Sequence, residues 1–422
     1  MAASVFSDVP MGAPIEVFAL SKRYNEDPNP NKVDLGVGAY RNDDGKPWVL
    51  PMVTTVERQM ASDETLNHEY LPVAGLPAFR TSAVALLLGK DNPAILERRV
   101  EGIQVQGGTG GIRLALDFLK KNLKSDVAYV SKPTWGNHQL ICKAAGFSSV
   151  RDYRYWDAKE LGVDFAGMVE DLKAAPEGAV IILHACAHNP TGIDPTQKQW
   201  EEIANIMEER KLFPLIDIAY QGFASGDLDA DAATVRYFVK RGFELLVAQS
   251  FSKNFGLYNE RIGNLCIVTK TPDVIPNIRS QMEIIVRTTW SNPSHHGARI
   301  VAMVLNNPAY FEEWRGQVKT MADRIKEMRK LMYNKLRQKK TEGKWTHILE
   351  QIGMFSFTGL TPKQVQVLVE KYHIYLLANG RISMCGLTTK NIDYVVDAIH
   401  DAINTYPTSN SHTSISGHQA KI

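Results

Sequence analysis

Cysteine is sparse in this 422-residue chain: there are four, Cys142, Cys186, Cys266 and Cys385, far apart and with no C-x-x-C among them. A disulfide framework is thereby excluded as the source of stability, and a reduced compartment is the simpler expectation. Long apolar runs are missing too, and nothing approaches the ~18 consecutive apolar residues that a membrane span needs. Charge of one sign is also lacking. Lys plus Arg number 48 against 46 Asp plus Glu, a formal net charge of +2 with no long single-sign run, which gives no reason to invoke nucleic acid or an acidic membrane. The opening residues, Met1 to Pro10, contain neither an apolar signal core nor the arginine-rich pattern of a transit peptide, so a cytosolic location is expected. No repeat or low-complexity segment interrupts the chain, and its length exceeds one typical core, so two domains are expected.

What is present centres on one lysine. Ser250-Phe251-Ser252-Lys253-Asn254-Phe255-Gly256, followed by Arg261, closes the apolar run Phe243 to Ala248. Most lysines are solvated surface cations, but this one stands at a strand end beside Ser250 and Arg261, both able to contact a phosphate. An amine that condenses with an aldehyde next to a phosphate site suits pyridoxal phosphate. A second buried-strand pattern, Leu212 to Tyr220, carries Asp217 and Tyr220 near its end. Asp217 can pair with a protonated pyridine nitrogen and Tyr220 with the ring's phenolic oxygen; alone, Asp217 reads more readily as a helix cap or turn acid. The run Ala179 to His184 leads into His188-Asn189-Pro190-Thr191-Gly192, where Asn189 can donate to the same oxygen and its bond to Pro190 is of the type that tolerates the cis form.

The glycine-rich segment Gln106 to Arg113 runs into the helical stretch Leu114 to Leu119, so its backbone N–H groups can cradle an anion, although such a turn is often only a turn. It matches neither G-x-x-x-x-G-K-[ST] nor G-x-G-x-x-G, against a P-loop or dinucleotide site. Trp135 is a candidate to stack on a ring, or a core tryptophan. Arg287 and Arg381 sit among apolar and turn residues where a lone guanidinium is costly, so each needs an anion, either a structural salt-bridge partner or a substrate carboxylate. His184 and His188 have the spacing of two helical metal ligands but flank a strand-to-loop junction without the acid of H-E-x-x-H, and no metal is expected.

Together Ser250 to Arg261, His188 to Gly192, Asn67 to Pro72, Leu35 to Arg41 and Gly380 to Leu387 resemble the aspartate aminotransferases of the animal cytosolic type, over roughly Ser4 to Tyr406. The resemblance implies an α/β fold of the fold-type I pyridoxal-phosphate class, with a mostly parallel seven-stranded sheet flanked by helices and a smaller α/β domain. It implies a homodimer that moves an amino group between aspartate and 2-oxoglutarate. Carried over by residue, Lys253 holds the cofactor as a Schiff base and shuttles the proton, Asp217 meets the pyridine nitrogen, and Tyr220 with Asn189 meets the phenolic oxygen. Gly108, Thr109, Ser250, Ser252 and Arg261 line the phosphate, with Tyr70 from the other subunit. Trp135 covers the ring, Gly38 and Asn189 with Arg381 receive the α-carboxylate, and Arg287 of the other subunit receives the distal one. The departures lie elsewhere, in His295-His296 and a longer polar tail. A preference for aromatic or sulfur amino acids, a lyase, or a silent scaffold are the competing readings.

Along the chain, β-rich runs alternate with helical stretches from about Gly102 to Val268, the pattern of parallel strands with crossover helices. Phe311, Trp314, Val318, Met321, Ile325, Met328, Met332 and Leu336 recur at three and four, which predicts one long amphipathic helix. The expected division is 1–44 as N-terminal arm and part of the small domain, 45–310 as the large cofactor-binding domain, 311–406 as interdomain helix and small domain, and 407–422 as a disordered tail. The ending Ala420-Lys421-Ile422 is loosely similar to the peroxisomal S-K-L, which leaves that compartment as an alternative.

Overall fold

Seven short runs of β-branched and aliphatic residues pair into one central sheet. In a computed structural model of the chain, which describes residues 4–407, these main-sheet strands are β1 (Val100–Gln106), β2 (Val127–Lys132), β3 (Ser149–Arg154), β4 (Val180–His184), β5 (Phe213–Ile218), β6 (Leu245–Ser250) and β7 (Ile262–Val268). Their spatial order is β1-β7-β6-β5-β4-β2-β3. Pairing is parallel from β6 through β3, whereas β7 runs antiparallel to both β6 and β1. The reversal has a simple cause: the segment between β6 and β7 contains no helix, and a parallel crossover needs a dozen or more residues, usually with one.

The middle strands are apolar almost throughout because both faces are covered. Within β4, Ile181 and Leu183 join one buried cluster while Val180 and Ile182 join the cluster on the other face. The helix Gly107–Asn122 packs on the second face so closely that a Cβ on Gly111 would come within 3.1 Å of the Ala248 Cβ. Four cysteines are buried and unpaired, so packing rather than cross-linking holds the molecule.

The stripe beginning at Phe311 forms the helix Pro308–Gln338, begun by Pro308 at its first position and capped by Asn307, whose side chain accepts from the Ala309 and Tyr310 amides. Trp314, Val318, Met321, Ile325, Met328, Met332 and Leu336 are all buried. Beyond it, Phe355–Phe357 pairs antiparallel with Arg381–Ser383. The chain's beginning reaches the same region: Val33–Asp34 pairs in parallel with Ile374–Tyr375, and the Ser383 amide donates to Leu35 O at 2.7 Å. The tail expected from Thr408 onward, with its Ala420-Lys421-Ile422 ending, lies outside the described residues.

Candidate active site

The carboxyl ends of β4, β5 and β6 open on the same side, together with the start of the helix that follows β1 and the loop after β2. That is where open α/β sheets place ligands. A cavity of about 260 Å³ forms there, lined by Gly38, Gly108, Thr109, Trp135, Asn189, Asp217, Tyr220, Ser250, Ser252, Lys253, Arg261 and Arg381. All the candidate cofactor- and substrate-binding residues except Tyr70 and Arg287 therefore converge.

Lys253 stands three residues past the end of β6 in a loop fixed from several sides. The Ser252 amide donates to Ser250 Oγ at 3.3 Å, Asn254 Nδ2 donates to Gln221 O at 3.1 Å, and Trp314 Nε1 of the long helix donates to Asn254 O at 2.9 Å. Phe255 stacks on Trp314 with centroids 4.5 Å apart. The Lys253 ammonium lies 5.3 Å from the Tyr220 ring centroid. Burial pushes its pKa below the ordinary lysine value; the Asp217 carboxylate opposes that and Arg261 adds to it. The amine is thus poised to lose its proton more readily than a surface lysine.

Asp217 is the last residue but one of β5 and is buried. Burial alone would raise its carboxyl. The hydrogen bond from His138 and its electrostatic pull, with that of Lys253, outweigh this and hold the group below the ordinary carboxylate value. His138 Nε2 lies 3.2 Å from Asp217 Oδ2 while its Nδ1 lies 2.8 Å from Thr134 Oγ1. His184 packs on His138 with centroids 5.0 Å apart. Burial, then His138, drives the His184 imidazole down to about 3, so it is neutral. Tyr220 is pushed above its ordinary phenol value, chiefly by burial, and keeps its proton to donate.

Ligand atoms of His138, His184 and Asp217 lie within 4.8 Å of one another. Both His138 nitrogens are nevertheless engaged as above. His188, the other member of the spaced pair, bonds Ser131 Oγ at 2.7 Å and Thr191 Oγ1 at 2.8 Å instead.

Among the described residues, Arg261, Arg381 and Arg287 hydrogen-bond only to uncharged oxygens. Arg261 donates to Ser252 Oγ and Tyr258 O. Arg381, 6% exposed, donates to Asn189 Oδ1 at 3.3 Å and Gly36 O at 3.4 Å, with its Nε unpartnered and its Cζ 4.0 Å above the Phe355 ring. Burial pushes its pKa down to about 10, which leaves it charged at neutral pH. Arg287 instead stands exposed at the last turn of the helix Ile275–Thr289, donating to Ser291 Oγ and Asn292 Oδ1 at 2.7 Å each. Tyr70 is 83% exposed. These two do not reach the cavity of their own chain.

The cavity fits pyridoxal phosphate. Gly107 has φ +66°, and a Cβ there would come within 2.5 Å of the Arg261 guanidinium, so only glycine lets that cation approach the helix N-terminus. An unneutralised guanidinium, two hydroxyls and helix-terminal N–H groups form an anion cradle. A carboxylate kept ionised and an amine eased toward neutrality complete the donor set.

Sequence reasoning missed His138 and Phe355. His138 lies three residues beyond Trp135, at the start of the helix Asn137–Ala144, and that nearness was the available signal. Phe355 gave none, because its role depends on a contact with Arg381 made only in the fold. Arg329 was missed as well: it is 3% exposed, and it donates to the carbonyls of Ile348, Gly353 and Phe355.

Residues 30–399 match the family model for aminotransferase class I and II. The chain is 56% identical over 408 residues to a cytoplasmic aspartate aminotransferase of Gallus gallus, covering 96% of this chain and 99% of that one. The solved aspartate aminotransferase from Saccharomyces cerevisiae cytoplasm superposes with a TM-score of 0.93 at 41% identity, covering 96% and 100%. An aromatic-amino-acid aminotransferase from Burkholderia pseudomallei, solved covalently bound to pyridoxal phosphate, superposes with a TM-score of 0.92 at 40% identity, covering 95% and 100%.

Proposed function

Since the chain belongs to the class I and II aminotransferases, we propose that its cavity transfers the amino group of aspartate to 2-oxoglutarate, with Lys253 as the residue that carries pyridoxal phosphate. The enzyme is an aspartate aminotransferase that depends on this cofactor. When bound, pyridoxal phosphate supplies a carbonyl carbon that takes up the amino group and a ring that withdraws electrons from the substrate Cα.

The chain's own groups do the rest. Lys253 Nζ, lowered in basicity by burial, would take the proton from the substrate Cα and deliver it to the cofactor carbon that receives the amino group, and move it back in the other half-reaction. Asp217, held as an anion by His138, would keep a proton on the cofactor's ring nitrogen. Tyr220 Oη and Asn189 Nδ2 donate to the phenolic oxygen, which leaves Asn189 Oδ1 for Arg381. Gly108, Thr109, Ser250, Ser252 and Arg261 would hold the phosphate, and Trp135 would stack on the ring. Arg381, with Gly38 and Asn189, clamps the α-carboxylate and so sets which Cα bond breaks.

Two chains share each site in this reading: the partner subunit's Tyr70 reaches the phosphate and the partner subunit's Arg287 the distal carboxylate. Support comes from their exposure in the single chain and from their lying outside its cavity. The division at about residues 44, 310 and 406 is proposed on the pairing of Val33–Asp34 with Ile374–Tyr375 and on the long helix from Pro308. A cytoplasmic location is supported by the names of the relatives. No helix among the described residues is long and apolar enough to cross a membrane.

The observation that carries the reading is the amine of Lys253 beside an ionised Asp217 in a cavity where Arg261 and Arg381 have no carboxylate partner. Absorption spectroscopy tests it. Aspartate should abolish the visible band of the purified protein and 2-oxoglutarate restore it, and borohydride should fix the cofactor on Lys253. A colourless protein, or label on another lysine, refutes the reading.

A further inference from the structure

The loop that carries Asn189 runs from the end of β4 to the helix Gln197–Glu209, and its backbone closes on one carboxylate. Ala187 has φ +49°, a left-handed conformation that a residue with a Cβ seldom adopts. It aims two successive amides at Asp194: the Ala187 N–H donates to Oδ2 at 2.7 Å and the His188 N–H to Oδ1 at 2.9 Å. Consecutive N–H groups of this kind make an anion-binding nest, and they are the only hydrogen-bond donors to the Asp194 side chain among the described residues. Burial pushes its carboxyl up to about 6 against the pull of the two amides, and Asp231 adds to the rise, which still leaves the group ionised at neutral pH.

The next residue along the chain is Asn189, whose Oδ1 accepts from Arg381 at 3.3 Å. Its position is inherited from its neighbours. His188 is fixed at its amide by Asp194, at its ring by Tyr155, stacked with centroids 3.8 Å apart, and at its carbonyl by the Gly192 N–H at 2.6 Å. We propose that Asp194 is a positioning residue of the reaction: its carboxylate fixes the Ala187 and His188 amides so that the Asn189 carboxamide keeps its place between Arg381 and the phenolic oxygen of the cofactor. The inference rests on the reading above in which Asn189 Nδ2 donates to that oxygen. A donor stabilises negative charge on the oxygen, so the nitrogen of Lys253 beside it loses its proton at lower pH when the donor is in place. Asp194 itself hydrogen-bonds none of Asp217, Tyr220, Lys253, Arg261 or Arg381. Its negative charge acts in the opposite sense: removing an anion by itself lowers the pH at which a neighbouring cation gives up its proton. Displacement of Asn189 and loss of charge therefore carry opposite signs.

The visible absorption of the holoenzyme, titrated against pH without substrate, tests the inference and reads no turnover. Asp194→Asn keeps the shape of the side chain but only one accepting oxygen, and it should raise the midpoint by about 0.4 to 1 pH units, the loss of one hydrogen bond. Asn189→Ala should raise it too, and adding Asp194→Asn to that variant should move it no further upward, because the carboxylate acts through that one side chain. Asp194→Glu keeps the charge with its oxygens one methylene further out; it should shift the midpoint in the same direction, and it carries the test should Asp194→Asn fail to fold. A midpoint unchanged or lowered by the Asp194 substitution, or a double variant shifted upward beyond Asn189→Ala alone, would overturn the proposal. A wild type without a visible band refutes the cofactor reading and this inference with it, whereas failure in the variants alone leaves that reading standing.

Discussion

Replacing Arg381 by alanine should damage the use of every amino acid, because each carries an α-carboxylate. The guanidinium is 6% exposed, still charged at neutral pH despite a pKa pushed down to about 10 by burial, and bonded only by two long contacts to neutral oxygens. Its electrostatic attraction is therefore free for a ligand. Removing one partner of a buried, hydrogen-bonded charge pair costs about 2–5 kcal/mol, which lowers kcat/KM roughly 30- to 5,000-fold. Arg381→Lys should fall between, since an ammonium keeps the charge without the planar fork. Arg287→Ala provides the contrast: loss of a charge-assisted hydrogen bond worth about 1.5–3 kcal/mol should lower kcat/KM for aspartate and glutamate roughly 10- to 150-fold. Alanine and phenylalanine should be nearly untouched. The assay is kcat/KM for all four amino acids with wild type and the three variants, with thermal unfolding to confirm that each is folded. If Arg381→Ala spares alanine, or if Arg381→Ala and Arg287→Ala show the same selectivity, the assignment of the two clamps is wrong.

Asp217→Ala should lose turnover even with saturating cofactor while Asp217→Glu retains more, and equal kcat for wild type and Asp217→Ala would remove the carboxylate from the chemistry. A mixed dimer of Lys253→Ala and Arg287→Ala chains, isolated through two tags, should recover close to half the wild-type turnover per dimer. One of its sites collects both lesions and the other neither; turnover no better than the mean of the two homodimers would place Arg287 within its own subunit. Acid should weaken the fold partly through His184: between about 3, its folded value, and 6.5, its ordinary one, the unfolded chain binds a proton that the native state refuses, so stability falls as pH drops. At pH 5 this amounts to about 2 kcal/mol, and His184→Gln should lose correspondingly less stability between pH 7 and 5 in urea unfolding. An unchanged pH dependence would show that the native state accommodates the charge.

The strand ends were legible because each ended an apolar run on a residue that does not belong in one. Asp217 after Pro214-Leu215-Ile216 and Lys253 after Leu245 to Ala248 broke the pattern where a parallel sheet places its ligands. The long helix was legible from its period, and only its start, three residues earlier at Pro308, was set by capping. Antiparallel β7 was not foreseen, since its composition is that of its parallel neighbours and only the helix-free connection betrays its direction. The platform of Phe355 beneath Arg381 was hidden for a different reason. A ring under a guanidinium depends on two residues 26 apart meeting across an antiparallel pair, and no local pattern records such a meeting.

The helix Pro308–Gln338 grips the lysine loop at Trp314 and, through Arg329, the backbone that presents Phe355 to the carboxylate clamp. At 1.5 Å per residue the two grips stand about 22 Å apart on one rod. The rod acts as a gauge: inserting a single residue between them would swing Arg329 about 100° around the axis and point a guanidinium at the wrong neighbours. Loops on the surface of this molecule can drift in length, but the interval from Trp314 to Arg329 cannot, and descendants of this gene should vary its letters while keeping its count.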